Sequence, residues 1–275
     1  MKYRTLGNTG LEISEIGFGC GPTSKLMVEG TPAEQRAAVE RALERGITYF
    51  DTAPDYGNTR SENNLGRTLR DLGARPVIAT KVALEEADYD DLAGGVVRSV
   101  EGSLERLGLD VLPVVHMHNR VGPERMAKSP YGSGALLTLE DILGPGGVIE
   151  GFRRVQRRGL VRFIGCQCVG GDPAMNETLI DSGNFDSMII ERNMLEHASY
   201  DRLGPRAAAR GMGIVTLRIL ARGKLASPAK VPEAIAYGLA DPAVSSVLVG
   251  IAEVAHVDAA ADAAEGVTRR APPRR

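Results

Sequence analysis

Residues 46–81, GITYFDTAPDYGNTRSENNLGRTLRDLGARPVIATK, contain the repeating unit of the fold. Ile47–Asp51 and Val77–Lys81 are short apolar runs that predict buried strands, and Ser61–Leu72 between them predicts a helix that ends at Gly73. A strand, a helix and a second strand in this order are typical of a parallel sheet, because parallel neighbours need a long crossover connection. This stretch therefore predicts an α/β fold.

The same alternation continues in both directions along the chain. Toward the N-terminus, Glu15–Phe18 predicts a first strand after a hairpin turn at Leu6–Leu11, and residues 31–34 (TPAE) mark a helix start. Five further strands are predicted: Val111–Met117, Val161–Gly165, Ser187–Ile190, Ile214–Leu217 and Ser246–Val249. Their apolar, non-alternating character is typical of strands buried on both faces.

About eight strand–helix pairs predict a single (β/α)8 TIM barrel with an N-terminal β-hairpin, over residues 1–268. An open doubly wound sheet is the alternative, but no GxGxxG motif follows the first strand. Residues 269–275 are basic, and we expect a disordered tail there. Residues 119–138 are rich in Gly, Pro and Ser and predict a long loop, which is typically functional or mobile.

Composition limits the partners that this chain can have. The 275 residues carry a net charge of −2, which gives no reason to expect nucleic acid or an anionic membrane as partner. Three cysteines, an odd and low number, argue against a disulfide framework and fit a reducing compartment. No apolar run approaches the ~18 residues of a membrane span. We therefore expect a cytoplasmic protein that acts on a small molecule.

Polar residues at the carboxyl ends of the predicted strands indicate where the chemistry lies, because barrel active sites form at that end. Lys81 ends an otherwise apolar strand and needs a partner, and Asp51 ends the neighbouring strand. Tyr56 follows Asp51 by a short loop, so that the Lys81 ammonium is expected to lower the pKa of the Tyr56 phenol toward working pH. Such a tyrosine serves as a general acid or base. The alternative is a purely structural ion pair.

Two histidines end the fourth predicted strand. His116 and His118 are two residues apart, so both side chains are expected to point into the barrel mouth. Either histidine could instead be a satisfied core residue. A metal site with Cys166 and Cys168 is disfavoured, because the two-residue spacing of zinc cysteines is missing and no carboxylate ligand is apparent. We predict no metal.

Several segments together resemble the aldo-keto reductase family. They are MKYRTLGNTGLEISEIGFG, FDTAPDYG, IATK, LERLGLDVLPVVHMH, GLVRFIGCQC, FDSMIIERNML and DPAVSSVLVGI, and they cover nearly the whole chain. The resemblance implies a catalytic tetrad of Asp51, Tyr56, Lys81 and His118, in which Tyr56 is the proton donor and His118 orients a carbonyl. It implies a nicotinamide cofactor that delivers hydride. The long loop after the fourth strand is most similar to sugar-oxidising, galactose dehydrogenase-like members.

The departures from the family pattern lie mostly on the cofactor side. The cofactor-binding positions implied by the resemblance are Gln167, Cys168, Ile189, Arg192, Arg218 and Gly250. Gln167 and Cys168 replace the usual Ser-Asn, Ile189 a glutamine, and Arg192 the stacking aromatic. Basic residues that clamp a 2′-phosphate are absent from GIAEVAHVD, so NAD is favoured over NADP. Arg192 and Arg218 could instead bind an anionic substrate, or pair with a neighbour such as Glu191.

Three functions remain open from the sequence. The first is an oxidoreductase that transfers hydride between NAD(P) and a carbonyl or sugar substrate. The second is an acid/base enzyme without cofactor, such as an isomerase, dehydratase or lyase, that has lost nicotinamide binding. The third is a non-catalytic binding barrel.

Overall fold

The computed structural model describes residues 1–269, with side chains up to residue 266, and its centre is a closed barrel of eight parallel strands. The barrel strands are β3 (Ile16–Gly19), β4 (Tyr49–Asp51), β5 (Val77–Val82), β6 (Leu112–Met117), β9 (Val161–Gln167), β10 (Ser187–Glu191), β11 (Gly213–Leu217) and β12 (Val244–Gly250). They pair in the order β10-β11-β12-β3-β4-β5-β6-β9, which closes because β9 also pairs with β10. The predicted TIM barrel is confirmed.

Helices surround the barrel and connect its strands. They are α1 (Leu26–Glu29), α2 (Pro32–Glu44), α3 (Arg60–Leu72), α4 (Leu92–Leu107), α5 (Leu139–Leu143), α6 (Val148–Arg157), α7 (Pro173–Asp181), α8 (Ala198–Ala209), α9 (Val231–Leu239) and α10 (Val254–Arg269). Thr31 and Glu34 form the reciprocal capping box that the sequence predicts for α2. α10 extends to Arg269, and the rest of the predicted tail, residues 270–275, lies outside the described residues.

The N-terminal hairpin closes one end of the barrel. Its strands, β1 (Tyr3–Thr5) and β2 (Glu12–Ser14), pair antiparallel, as predicted. Leu6, Leu11 and Ile13 pack into the barrel against side chains that include Tyr49 and Leu248. Gly7 has φ +51°, and a methyl group there would lie 2.2 Å from the backbone nitrogen of Gly213, so the close approach requires glycine. With this end plugged, ligands have access only to the carboxyl ends of the strands.

The loop over residues 119–138 is more ordered than the sequence predicts. It contains two short strands, β7 (Arg120–Val121) and β8 (Leu136–Leu137), which pair in parallel. The Asn119 side chain accepts a hydrogen bond from the Leu84 backbone nitrogen at 2.8 Å and donates to the carbonyls of Leu84 and Ala135 at 2.8 and 2.9 Å. The loop is therefore anchored at both ends beside the mouth of the barrel.

Candidate active site

The Asp51–Lys81 pair forms the floor of the site. The register of the barrel places Asp51 beside Ala79 on the neighbouring strand, and Lys81 extends one pleat further toward the mouth. The Lys81 ammonium is fully buried and donates to both Asp51 carboxylate oxygens, at 2.7 and 2.8 Å, and to the carbonyl of Thr52 at 2.8 Å. Burial opposes the charge, but Asp51 and Tyr56 outweigh it and raise the pKa of Lys81 above its ordinary value. Lys81 is therefore a permanent cation.

Tyr56 lies against both Lys81 and His118. The Lys81 ammonium nitrogen is 4.8 Å from the centroid of the Tyr56 ring, and the rings of Tyr56 and His118 make an edge contact at 5.8 Å between centroids. Burial raises the pKa of Tyr56 to about 12, and the opposing effect of Lys81 is smaller. The expectation that the pKa of Tyr56 is lowered toward working pH is therefore wrong. In this site Tyr56 is a neutral phenol, whose hydroxyl has a proton to donate.

His118 is held by an aspartate that the sequence reasoning missed. Its ring is buried, and Nδ1 lies 3.1 Å from Oδ1 of Asp55. The other carboxylate oxygen of Asp55 accepts a hydrogen bond from the hydroxyl of Ser133. Burial lowers the pKa of His118 to about 4, so the imidazole is neutral at neutral pH. Burial raises the pKa of Asp55, but the hydrogen bonds of Asp55 with His118 and Ser133 outweigh burial and lower this pKa to about 2. A neutral imidazole that donates from Nδ1 to Asp55 has a lone pair on Nε2. Asp55 lies inside the FDTAPDYG motif, directly before Tyr56, which was the available signal.

His116 lies below the site and has a structural role. It is fully buried, and its Nε2 lies 3.0 Å from the hydroxyl of Ser187 on β10. Burial lowers its pKa to about 3. Within residues 1–269, side chains of His, Cys, Asp and Glu form no group of three that could hold a metal ion.

On the cofactor side, Gln167 has an unused hydrogen-bond acceptor. It ends β9, it is 5 % exposed, and its Oε1 atom is buried without a hydrogen-bond partner. An unsatisfied buried acceptor at this position fits the amide donor of a nicotinamide carboxamide. Cys168 packs into the core, with its sulfur 3.8 Å from that of Cys166, and Ile189 is fully buried in the inner cluster of the barrel. Neither of these two residues presents a polar group to a cofactor.

The structure places the two predicted arginines in other interactions. Arg192 donates to the carbonyls of Tyr237 and Gly238 at the end of α9, at 3.0 and 2.9 Å, and lies over the rings of Tyr200 and Tyr237. Arg218 pairs with Glu191 at 2.6 Å, as the alternative interpretation predicts. The contacts of Arg218 thus favour pairing with a neighbour over the alternative of an anion site made of Arg192 and Arg218. A guanidinium at position 192 satisfies the terminal carbonyls of α9 instead of stacking where the family has an aromatic.

Gly250 and Arg120 complete the mouth. Gly250 is exposed at the end of β12, where a methyl group would lie 3.5 Å from Cβ of Ser24. Arg120 is buried beside His118, whose backbone carbonyl it contacts through Nη1. The sequence reasoning missed Arg120, although it lies only two residues after His118 in the HNRV segment.

A plugged barrel with a lysine-supported phenol at its open end defines an oxidoreductase of small carbonyl compounds as the class of protein. The model of the aldo/keto reductase family matches residues 15–233. The chain belongs to the aldo/keto reductase family and is a nicotinamide-dependent oxidoreductase. The cofactor-independent alternative is not favoured by these comparisons.

Curated relatives and solved structures agree with this membership. The chain is 29 % identical to L-galactose dehydrogenase of Arabidopsis thaliana, covering 94 % of this chain and 86 % of the relative. It is 26 % identical to pyridoxal 4-dehydrogenase of Microbacterium luteolum, over 82 % and 73 % of the two chains. An aldo-keto reductase structure from Pseudomonas aeruginosa matches with a TM-score of 0.76 and 27 % identity, covering 97 % of this chain and 95 % of the other.

Proposed function

We propose that this chain interconverts a small sugar or related carbonyl compound with its oxidised or reduced form, using NAD, with Tyr56 as the group that exchanges a proton with the substrate oxygen. One observation carries this proposal: the four side chains lie in contact at the open end of the barrel. Asp51 binds Lys81, and Lys81 and His118 each contact Tyr56.

Each member of the tetrad has a separate task. Tyr56 is protonated and donates to a carbonyl oxygen in the direction of reduction. Lys81 stabilises the phenolate that remains, and Asp51 holds the Lys81 ammonium beneath the ring. His118 orients the substrate, and a lone pair on Nε2 suits a substrate that has a hydroxyl group beside its carbonyl. The nicotinamide, when bound, supplies or accepts the hydride.

Two features bear on the cofactor, the first on the nicotinamide that NAD and NADP share and the second on NAD itself. Gln167 offers an acceptor for the carboxamide, as described above. A cleft of about 650 Å³ near the mouth is lined by Glu29, Glu34 and Glu253, against one lysine, Lys25, which already pairs with Glu29 at 3.6 Å. Such a wall repels a 2′-phosphate, whereas carboxylates accept hydrogen bonds from a ribose hydroxyl.

The cleft and the tetrad are neighbours in the structure. A methyl group on Gly21 would lie 3.7 Å from the Tyr56 ring, and Ser24, three residues further, lines the cleft. One dinucleotide could therefore extend from the cleft to Tyr56.

The activities for which the relatives are named suggest which substrates to try first. L-galactose dehydrogenase and pyridoxal 4-dehydrogenase are similar to this chain over most of its length, so aldoses and aldehydes are the proposed classes. The described residues include no helix that is long and apolar enough to cross a membrane. The three cysteines are free and buried. A cytoplasmic location remains our proposal.

Nicotinamide binding and a matched pair of variants test the function. NADH at a hundredfold excess over its Kd should raise the free energy of unfolding by about 2.7 kcal/mol. NADPH should do so only at higher concentration. Tyr56→Phe should lower kcat by about 10²–10⁴-fold. Tyr3→Phe, which removes an exposed phenol on the hairpin, serves as control and should retain activity. Absence of any nicotinamide binding would falsify the proposal.

A further inference from the structure

Arg120 is a buried cation beside the tetrad. It is 3 % exposed, and its guanidinium lies between the loops that follow β6 and β9. Nε donates to the carbonyl of Val169, and Nη1 donates to the carbonyl of His118. Among residues 1–269 no carboxylate lies within ion-pair distance of this guanidinium. Arg120 is thus a charged group without a counter-ion, in contact with the backbone of a catalytic residue.

An unpaired buried guanidinium is costly, since its charge has lost water and gained only carbonyl dipoles. A guanidinium has five N–H donors, and the two described bonds use two of them. Burial lowers the pKa of Arg120 to about 10, so the group still carries its charge at neutral pH. The remaining donors, including both on Nη2, can bind a planar anion at two points.

The free end of Arg120 faces the loop that covers the site. A methyl group on Gly132 would lie 3.6 Å from Nη2 of Arg120. The next residue, Ser133, donates to Asp55, which in turn contacts His118. Nη2 and the tetrad therefore lie beneath the same segment of the loop.

The other charged groups at the mouth already have partners. Lys81 is bound to Asp51, Arg218 to Glu191, and Asp55 to His118 and Ser133. Arg120 alone among these groups lacks an opposite charge. One unpaired cation matches a monoanion, and the nearby Asp55 disfavours a dianion such as phosphate.

We propose that Arg120 binds a carboxylate of the substrate, so that the enzyme acts on a carbonyl or hydroxy compound that carries a carboxylate a few atoms from the reacting carbon, such as a sugar acid. This inference rests on the proposed function and narrows its substrate class. It also assigns the anion-binding role, expected of Arg192 and Arg218, to a different arginine.

Matched substrates test this inference. Kinetics are measured with uronates and with the neutral aldoses of the same stereochemistry, using wild type, Arg120→Met and Arg162→Met. Wild type should prefer the uronate by at least tenfold in kcat/KM. Arg120→Met should lose about 10²-fold in kcat/KM on the uronate, mainly through KM, and at least tenfold less than that on the aldose. Arg162, an exposed arginine at the start of β9, is the control and should retain the preference.

Further measurements separate the possible causes. The Kd of NADH should be the same in wild type and Arg120→Met, and an equal loss of cofactor affinity would mean that Arg120 binds the dinucleotide instead. Without cofactor, a uronate should raise the Tm of wild type but not that of Arg120→Met, a result that holds even if nicotinamide turnover fails. Should Arg120→Met not fold, Arg120→Lys should keep part of the preference, because it retains the charge but not the two-point contact. A wild type without preference for the uronate overturns the inference.

Discussion

The two halves of the barrel mouth differ in how their polar groups are used. At the ends of β4, β5 and β6, Asp51 binds Lys81, and both Lys81 and His118 contact the Tyr56 ring. At the ends of β9, β10 and β11, Arg192 is bound to α9 and Arg218 to Glu191, and Gln167 keeps an unused acceptor. The first half holds the groups that we propose move a proton, whereas the second has replaced most of the cofactor contacts that the family pattern implies.

Breaking one ion pair in each half should give the largest difference between the halves, measured as the loss in free energy of unfolding. Lys81→Met leaves the Asp51 carboxylate buried without a partner and should lower the free energy of unfolding by about 3–5 kcal/mol, with loss of turnover. Arg218→Met breaks the partly exposed pair with Glu191 and should cost about 0–1 kcal/mol. Urea unfolding of both variants measures the difference, and equal costs would contradict the asymmetry.

The pH dependence of stability should come mainly from the first half. The pKa values of His118 and His116 are lowered to about 4 and about 3, so the unfolded state binds more protons than the folded state as pH falls below about 6.5. The free energy of unfolding should therefore fall with decreasing pH, by up to about 1.4 kcal/mol per pH unit for each histidine.

Single variants show which residue causes the pH dependence of the free energy of unfolding. His116→Gln should make the dependence on pH shallower between pH 6.5 and the lowered pKa of His116, about 3. Met126→Leu, at an exposed side chain that carries no titratable group, serves as the control and should leave the slope unchanged. Denaturant unfolding at several pH values measures both, and an unchanged slope in His116→Gln would show that this residue is not responsible.

Asp55 should be needed for the position of His118. Asp55→Asn removes the charge that faces Nδ1 but keeps an oxygen acceptor there, and we expect kcat to fall about tenfold, which corresponds to about 1.4 kcal/mol in activation free energy. Arg192→Met, in the second half, should leave kcat unchanged. Steady-state kinetics measure kcat of both variants, and an equal loss of kcat in the two would contradict the distinction between the halves.

The smallest expected effect concerns Gln167. Gln167→Leu removes the unused acceptor, so the Kd of NADH should rise about two- to tenfold while kcat changes little. Fluorescence titration of NADH measures it. An unchanged Kd would indicate that the carboxamide lies elsewhere.

The sequence was sufficient to predict the barrel and the proximity of Asp51, Lys81 and His118 at its mouth. Strand periodicity and strand ends determine where Asp51, Lys81 and His118 lie, because a parallel barrel brings every carboxyl end to one mouth. The sequence did not predict Asp55, Ser133 and Arg120, since their contacts depend on how residues 119–138 fold back over the site. β7 and β8 have two residues each, too short to show a hydrophobic period.

Electrostatics could not be predicted from proximity alone. The sequence places a cation beside Tyr56, which favours a lower pKa, but the depth of burial is a property of the folded mouth and acts more strongly in the opposite direction. The same holds for Arg192, because the terminal carbonyls of α9 that bind it are 45 and 46 residues further along the chain.

The ionisation of Tyr56 tests the central claim most directly. The absorbance of phenolate is followed as pH is raised, in wild type and in Tyr56→Phe, and the difference between the two curves reports Tyr56 alone. Since burial raises the pKa of Tyr56 to about 12, the difference should show no ionisation up to pH 10, where ordinary tyrosines are about half ionised. Ionisation of Tyr56 below about pH 9 would contradict the account, because Lys81 would then outweigh burial and the resting site would hold a phenolate.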